Sequence, residues 1–271
     1  MKNTKLYILT TILMSTLLIS ACNSSTNTSH KTKEASNATS QTGEQVNSTS
    51  NSNNKIMKIG EDSYSISLND MKTEKFNFAV KTSAGIVWSP APKMKIAPGT
   101  EANPVYYPTE PFTFYLSPAN EKNLVVEKSK KLTTLQLKDG EAILTVDEVF
   151  GFGSHILYHT SSIFTDGAQP LRQQVWVMDV QDPTFNKAIN EFHSTGGDSY
   201  AYAIDEKENL YVGVSVVSGN ADGSSSSEAF VYNVSTGKKE KLDDYALATN
   251  TLDSIKFKYN NKDYSFKLQA K

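Results

Sequence analysis

The sequence predicts a mainly β protein built from repeated antiparallel hairpins, and three observations predict it. Short runs rich in Val, Ile, Tyr and Phe recur from about residue 56 onward. Clusters of Gly, Asn, Asp, Ser and Pro separate them, which is how strands and turns alternate in an antiparallel sheet. The stretch 155–183 also aligns with 209–237, as expected of one supersecondary unit used twice.

In chain order the expected strands begin with 58–68, a hairpin about Gly60-Glu61-Asp62. Then come 76–81, 86–88, 112–116, 132–137, 142–146, 155–161, 174–180, 199–204, 210–217 and 229–234. The series closes with 255–268, a hairpin about Asn260-Asn261. Each run carries the β-branched and aromatic side chains that fit a pleated, half-buried surface. One segment predicts a short helix instead: Asp182 as N-cap, Pro183 at the first helical position, Phe185, Ala188, Ile189 and Phe192 at helical spacing, and Gly196-Gly197 as the stop.

The internal repeat has a shift of 54 residues and no gap: Ile156 meets Leu210, Val177 meets Val231, Asp179 meets Asn233 and Val180 meets Val234. Each unit reads as a strand, a long polar loop, a second strand and a tight turn. The segment Ile86-Val87-Trp88-Ser89-Pro90-Ala91-Pro92-Lys93-Met94-Lys95-Ile96-Ala97 resembles the strand-turn-strand of propeller blades in TolB-like and peptidase-associated proteins, with Ala91-Pro92 where that family has Asp-Gly. The stretch 203–214 has the same shape, with Asp205 to Asn209 as its turn. This resemblance implies an interaction platform. At about 50 residues per unit the folded part holds roughly four, against about four to eight blades in propellers. The expected architecture is therefore a small or partial β-propeller-like fold, with a β-sandwich of related hairpins as the alternative.

The chain ahead of this domain has two parts. Lys2 and Lys5 precede an uncharged, mostly apolar run from Leu6 to Ile19, the pattern of a signal peptide. As a helix that run rises about 21 Å, short of the roughly 30 Å hydrocarbon core. Leu18-Ile19-Ser20-Ala21-Cys22 resembles the lipobox of bacterial lipoproteins. The resemblance implies cleavage before Cys22, diacylglycerol on its sulfur, and a lipid anchor on the outer face of the cytoplasmic membrane, since two acyl chains hold a protein that one would release. With its one cysteine lipidated the chain has no disulfide. Ser, Thr and Asn dominate the next stretch, a composition that reads as a disordered tether reaching about 30 Å on average and about 100 Å when taut. The expected organisation is a signal peptide over 1–21, lipidated Cys22 and tether over 22–55, and a β-rich extracytoplasmic domain over 56–271. Asn- and Lys-rich usage points to a Gram-positive host of low GC content.

Net charge is −2, with the basic residues interspersed among acidic ones, so nothing points to nucleic acid. His155 and His159 have the spacing of a zinc helix, but no Glu follows His155, and in a strand they lie about 13 Å apart. They are read as structural, and no metal or other cofactor is expected. The stretch 219–228 gathers oxygens without EF-hand spacing and reads as a hairpin tip. Neither a Gly-X-Ser-X-Gly elbow nor a phosphate loop occurs, Gly151-Phe152-Gly153 lacks a third glycine at the right place, and no catalytic residue is assigned. In the stretch 104–118, Phe112 and Phe114 read as core, and Tyr106 and Tyr107 beside Pro108 are the candidates for partner binding.

These readings converge on a membrane-anchored lipoprotein that binds an envelope protein or glycan without turnover. The alternatives are an envelope hydrolase acting on a wall polymer, marked by a pocket with close acidic groups or a Ser-His pair, and a sensory or assembly accessory to a membrane protein. A solute receptor is disfavoured because α/β alternation is missing.

Overall fold

The computed structural model describes residues 54–67, 75–98, 100–164, 171–194, 198–218, 225–248 and 252–270. All belong to one compact unit, Ser50–Lys271. Cys22, the signal sequence and nearly all of the expected tether lie outside the described residues. The strands are β1 (Asn54–Ile59), β2 (Asp62–Ser67), β3 (Phe78–Thr82), β4 (Gly85–Ser89), β5 (Met94–Ile96), β6 (Tyr106–Pro108), β7 (Thr113–Ser117), β8 (Asn123–Leu124), β9 (Lys130–Thr134), β10 (Glu141–Phe152) and β11 (His155–Phe164). They continue with β12 (Leu171–Asp179), β13 (Asn186–Ser194), β14 (Ser199–Asp205), β15 (Leu210–Ser218), β16 (Ser225–Asn233), β17 (Lys238–Leu242), β18 (Tyr245–Leu247), β19 (Ser254–Tyr259), β20 (Lys262–Lys267) and β21 (Gln269–Ala270). The domain is mainly β, as expected, and β1 opens two residues before the expected start at 56. No described helix is long and apolar enough to cross a membrane.

Five sheets carry the core. In order they are β1-β2-β8, β3-β4-β7-β9, β10-β11-β12-β13, β17-β16-β15-β14-β21 and β18-β19-β20, with β5-β6 as a separate ribbon. Apart from a short parallel contact of β2 with β8, every pairing is antiparallel. Four core clusters show how the sheets stack. Tyr64, Ile66 and Leu124 of the first meet Ile86 and Trp88 of the second. Val87 and Phe114 of the second meet Ile156, Tyr158 and Met178 of the third. Leu157, Val175 and Val177 of the third meet Tyr211, Phe230 and Tyr232 of the fourth. Leu210, Val212 and Val231 of the fourth meet Ile255 and Phe257 of the fifth. The three inner sheets are thus buried on both faces, which is why β4 reads as the apolar run Gly-Ile-Val-Trp before Ser89 and is buried throughout.

The two end sheets are amphipathic. In the fifth sheet Ile255, Phe257 and Tyr259 point inward, while Lys256, Lys258 and Ser265 are exposed. In the first, Asn54, Lys58 and Ser63 are exposed opposite Tyr64 and Ile66. A stack of related units ends in this way, with mainly polar outer faces as caps, although Ile56 is also exposed on the first.

The repeat is a fold-level fact, with one correction. β12 and β16 begin and end 54 residues apart, but β11 and β15 begin 55 apart, at His155 and Leu210. His155 pairs with Asp179 in one hairpin and Leu210 with Asn233 in the other. The gap-free alignment would set Ile156, which faces the preceding sheet, on Leu210, which faces the following one. A one-residue slip turns a strand over, and side-chain direction sets the true register, with Leu157 on Val212.

Over the described residues 182–194 the expected helix is a turn followed by strand β13 instead. Asp182 does open a turn, its carbonyl accepting from Phe185 N at 2.9 Å, but β13 then pairs along β12. A bulge leaves Ile189 unpaired between Asn190, opposite Val175, and Ala188, opposite Trp176. The extra residue brings Ile189 and Phe192, three apart, into one core, and this spacing mimics a helix face. The turn at Asn260-Asn261 is as expected, with positive φ at both residues. In the segment 86–97, β4 and β5 lie in different sheets, and Ala91 N is fixed by Asn77 Oδ1 at 3.0 Å.

Candidate functional site

Past β9 the chain continues as a ridge, Leu135 to Lys138, between the second and third sheets. Leu135 anchors it: the side chain is buried, and its N–H donates to Phe112 O at 2.9 Å. Leu137 is half-exposed. A four-residue turn, Lys138 to Glu141, leads into β10, closed by Glu141 N donating to Lys138 O at 3.0 Å. Gly140, third in the turn, has φ +83°, which a type II turn requires there and glycine supplies without strain. The buried Glu141 carboxylate folds back to accept from Lys138 N at 2.6 Å, and the Arg172 guanidinium of β12 pairs with its other oxygen. The turn that carries Lys138 is therefore fastened to the sheet.

On one side of the ridge lies a cavity of about 280 Å³. Trp176 and Tyr158, cross-strand partners on β12 and β11, stack in its wall with ring centroids 6.1 Å apart. The Trp176 indole N–H donates to Thr160 Oγ1 at 3.1 Å, and the Tyr158 hydroxyl donates to Asn186 Oδ1 at 2.7 Å. The Lys138 ammonium lies 5.2 Å from the Trp176 ring centroid and donates to Gln174 Oε1 at 3.4 Å. On the other side is a cavity of about 410 Å³ whose walls include Tyr107, Pro108, Glu110 and Pro111. Lys93 holds Glu110, with the ammonium at 3.2 Å and the backbone N–H at 3.1 Å; these donors lower the carboxyl's pKa. Both cavities share Leu135, Gln136, Leu137 and Leu144, so they form one groove divided by a ridge.

The two tyrosine candidates part here. Both are half-buried in β6, but Tyr107 lines the groove and Tyr106 does not. Phe112 and Phe114 are core, as expected. Sequence reasoning missed Trp176 and Lys138. Trp176 sits in a run that reads only as a buried strand, and Lys138 in a turn that reads only as solvent.

A second polar cluster lies between the third and fourth sheets. His159 is 2 % exposed. Its Nδ1 lies 2.9 Å from Glu148 Oε2, and its Nε2 lies 3.0 Å from the Tyr211 hydroxyl. Tyr211 and Tyr200 hydroxyls are 2.6 Å apart, and Tyr202 donates to the same Glu148 oxygen at 2.9 Å. A Cβ at Gly213 would lie 2.6 Å from the Tyr200 hydroxyl, so the glycine gives that tyrosine its room. Burial raises the pKa of Tyr200 and Tyr211 well above the usual phenol value. His159 is thus a satisfied, cross-sheet structural histidine, as read from its place in a strand.

Tyr200 also borders a cleft of about 390 Å³ lined by Glu191, Asp198 and Glu228. Glu191 accepts from Gln174 Nε2, and Glu228 is paired with Lys241 at 2.7 Å. The contact at Glu228 is an ion pair, whereas the Gln174 amide hydrogen-bonds Glu191 without neutralising its charge. Among the described residues no group of three or more His, Cys, Asp or Glu is placed to hold a metal.

Fold and groove define a stack of antiparallel hairpin sheets with an aromatic and polar groove between two of them. In comparison with known proteins, no family model and no curated protein matches the chain.

Proposed function

We propose that this chain is a lipid-anchored lipoprotein on the outer face of the bacterial cytoplasmic membrane, a module that binds an envelope protein or glycan without chemical turnover. The observation that carries the binding half is the groove on either side of Leu135–Leu137, where Trp176, Lys138 and Tyr107 gather on a fastened frame. A concave, largely apolar surface with a few placed polar groups is the usual form of a ligand site. Its two acids, Glu141 and Glu110, are each held by a cation, which suits recognition better than proton transfer. The anchor half rests on the Leu18 to Cys22 sequence. It does not rest on the fold.

Two expected outcomes follow. A Cys22→Ala chain is released from the membrane or accumulates as unprocessed precursor in fractionated cells; a processed Cys22→Ala chain still in the membrane fraction refutes the lipid anchor. Trp176→Ala, in the detergent-solubilised full chain, loses about ten-fold or more in co-sedimentation with purified cell-envelope material, the size of effect that removing one aromatic anchor produces. Tyr107→Ala loses less, and far-ultraviolet circular dichroism stays native for both. Unchanged sedimentation of both variants would mean that binding, if present, uses another surface.

A further inference from the structure

We propose that the cavity beside Trp176 takes a carboxylate-bearing saccharide unit, its carboxylate on the Lys138 ammonium and its ring against the Trp176 indole. This deepens the binding reading above and rests on it. At about 280 Å³ the cavity stands at the small end of ligand sites, room for one ring-sized group rather than an extended chain. Its one carboxylate, Glu141, is buried and paired with Arg172, which leaves the Lys138 charge unbalanced in the cavity. Among the described residues the Lys138 ammonium meets only the Gln174 amide oxygen and the face of Trp176, with no carboxylate to neutralise it. Asn186 gives its oxygen to Tyr158, which leaves its amide N–H groups to a ligand. Thr134, Gln136 and Thr160 line the same space, with polar groups already bonded to Thr113, the Thr134 carbonyl and Trp176.

An occupant must therefore present an anion, several hydrogen-bonding oxygens and a flat apolar patch within one small body. A carboxylated pyranose does so: hydroxyls at its rim, C–H groups on its face, and a carboxylate on the same ring. On binding, the ammonium would trade its contacts with the Trp176 face and the Gln174 amide oxygen for a hydrogen bond to a carboxylate, the stronger interaction. The Lys138–Glu141 turn and the Glu141–Arg172 pair hold the lysine backbone in place, so this exchange needs only side-chain rotation.

The test titrates the detergent-solubilised full chain with glucuronate, glucose and N-acetyl-aspartate amide, following the two tryptophan indole N–H resonances. Trp88, 1 % exposed and bonded to Ser117, reports the fold, and Trp176 reports the site. Glucuronate is expected to move the Trp176 signal and not that of Trp88, binding roughly ten-fold tighter than glucose, as one charge-assisted contact allows. Lys138→Gln should bring glucuronate down to the level of glucose. Equal affinity for glucuronate and glucose, or a Lys138→Gln chain that binds glucuronate as the parent does, overturns the proposal. N-acetyl-aspartate amide binding as tightly as glucuronate overturns it too and makes an acidic peptide the occupant. If glucuronate fails while Trp176→Ala still abolishes sedimentation with envelope material, only this inference falls; if both fail, the binding reading falls with it.

Discussion

An Arg172→Met chain is expected to lose about 3–5 kcal/mol of stability, the usual cost of removing one partner of a buried ion pair. Its partner Glu141 has a side chain only 1 % exposed, and Arg172 itself is 13 % exposed. Methionine keeps much of the volume but removes the guanidinium, so the Glu141 carboxylate is left with the Lys138 N–H and little water. With a slope of about 2 kcal/mol per molar, the urea midpoint should fall by roughly 1.5–2.5 M. The double variant Arg172→Met, Glu141→Leu should recover most of that loss, since an apolar pair of similar shape replaces a buried ion pair at little net cost. If Arg172→Met matches the parent in urea, the pair does not hold the turn that carries Lys138.

Alkaline pH should unfold the domain cooperatively. Burial raises the pKa of Tyr158, Tyr200 and Tyr211 above the ordinary value of 10.0. Below pH 10 both folded and unfolded chains keep these protons, and stability does not depend on them. Above it the unfolded chain ionises while the folded one cannot, so stability falls as pH rises and is lost as the folded-state values are approached. Each tyrosine contributes about 1.4 kcal/mol per pH unit in that window, so three contribute about 4. Against a typical 5–15 kcal/mol, unfolding should follow within about one to four pH units above 10. Of the phenolate absorbance from the chain's thirteen tyrosines, the share belonging to these three should appear together with the loss of circular dichroism. Phenolates of these buried tyrosines appearing while the native signal persists would mean that the rings are accessible.

The strands were legible in the sequence because burial on both faces makes β4 and the second halves of β12 and β16 strongly apolar, and because turn residues at Gly60-Glu61, Asp205–Asn209 and Asn260-Asn261 punctuate them. Local pattern failed where a bulge changed the period, at Ile189 and Phe192, and where a one-residue register change hid inside the repeat. The His159 cluster could have been found by counting outward from the Gly153-Ser154 turn, which sets Glu148 opposite His159. The groove could not. Tyr107, Lys138 and Trp176 come from a two-stranded ribbon, a turn and an inner strand, and only the packing of the second sheet on the third brings them around Leu135. No spacing within the chain records that meeting.

The most direct test of the binding account is hydrogen–deuterium exchange on the full chain with and without purified envelope material. Binding in the groove predicts added protection over 106–111, 134–144 and 172–176, and none over 254–267 at the lysine-rich outer face of the last sheet. Protection confined to that outer face, or to the loops joining β14 to β17, would place recognition elsewhere and contradict the assignment of the groove.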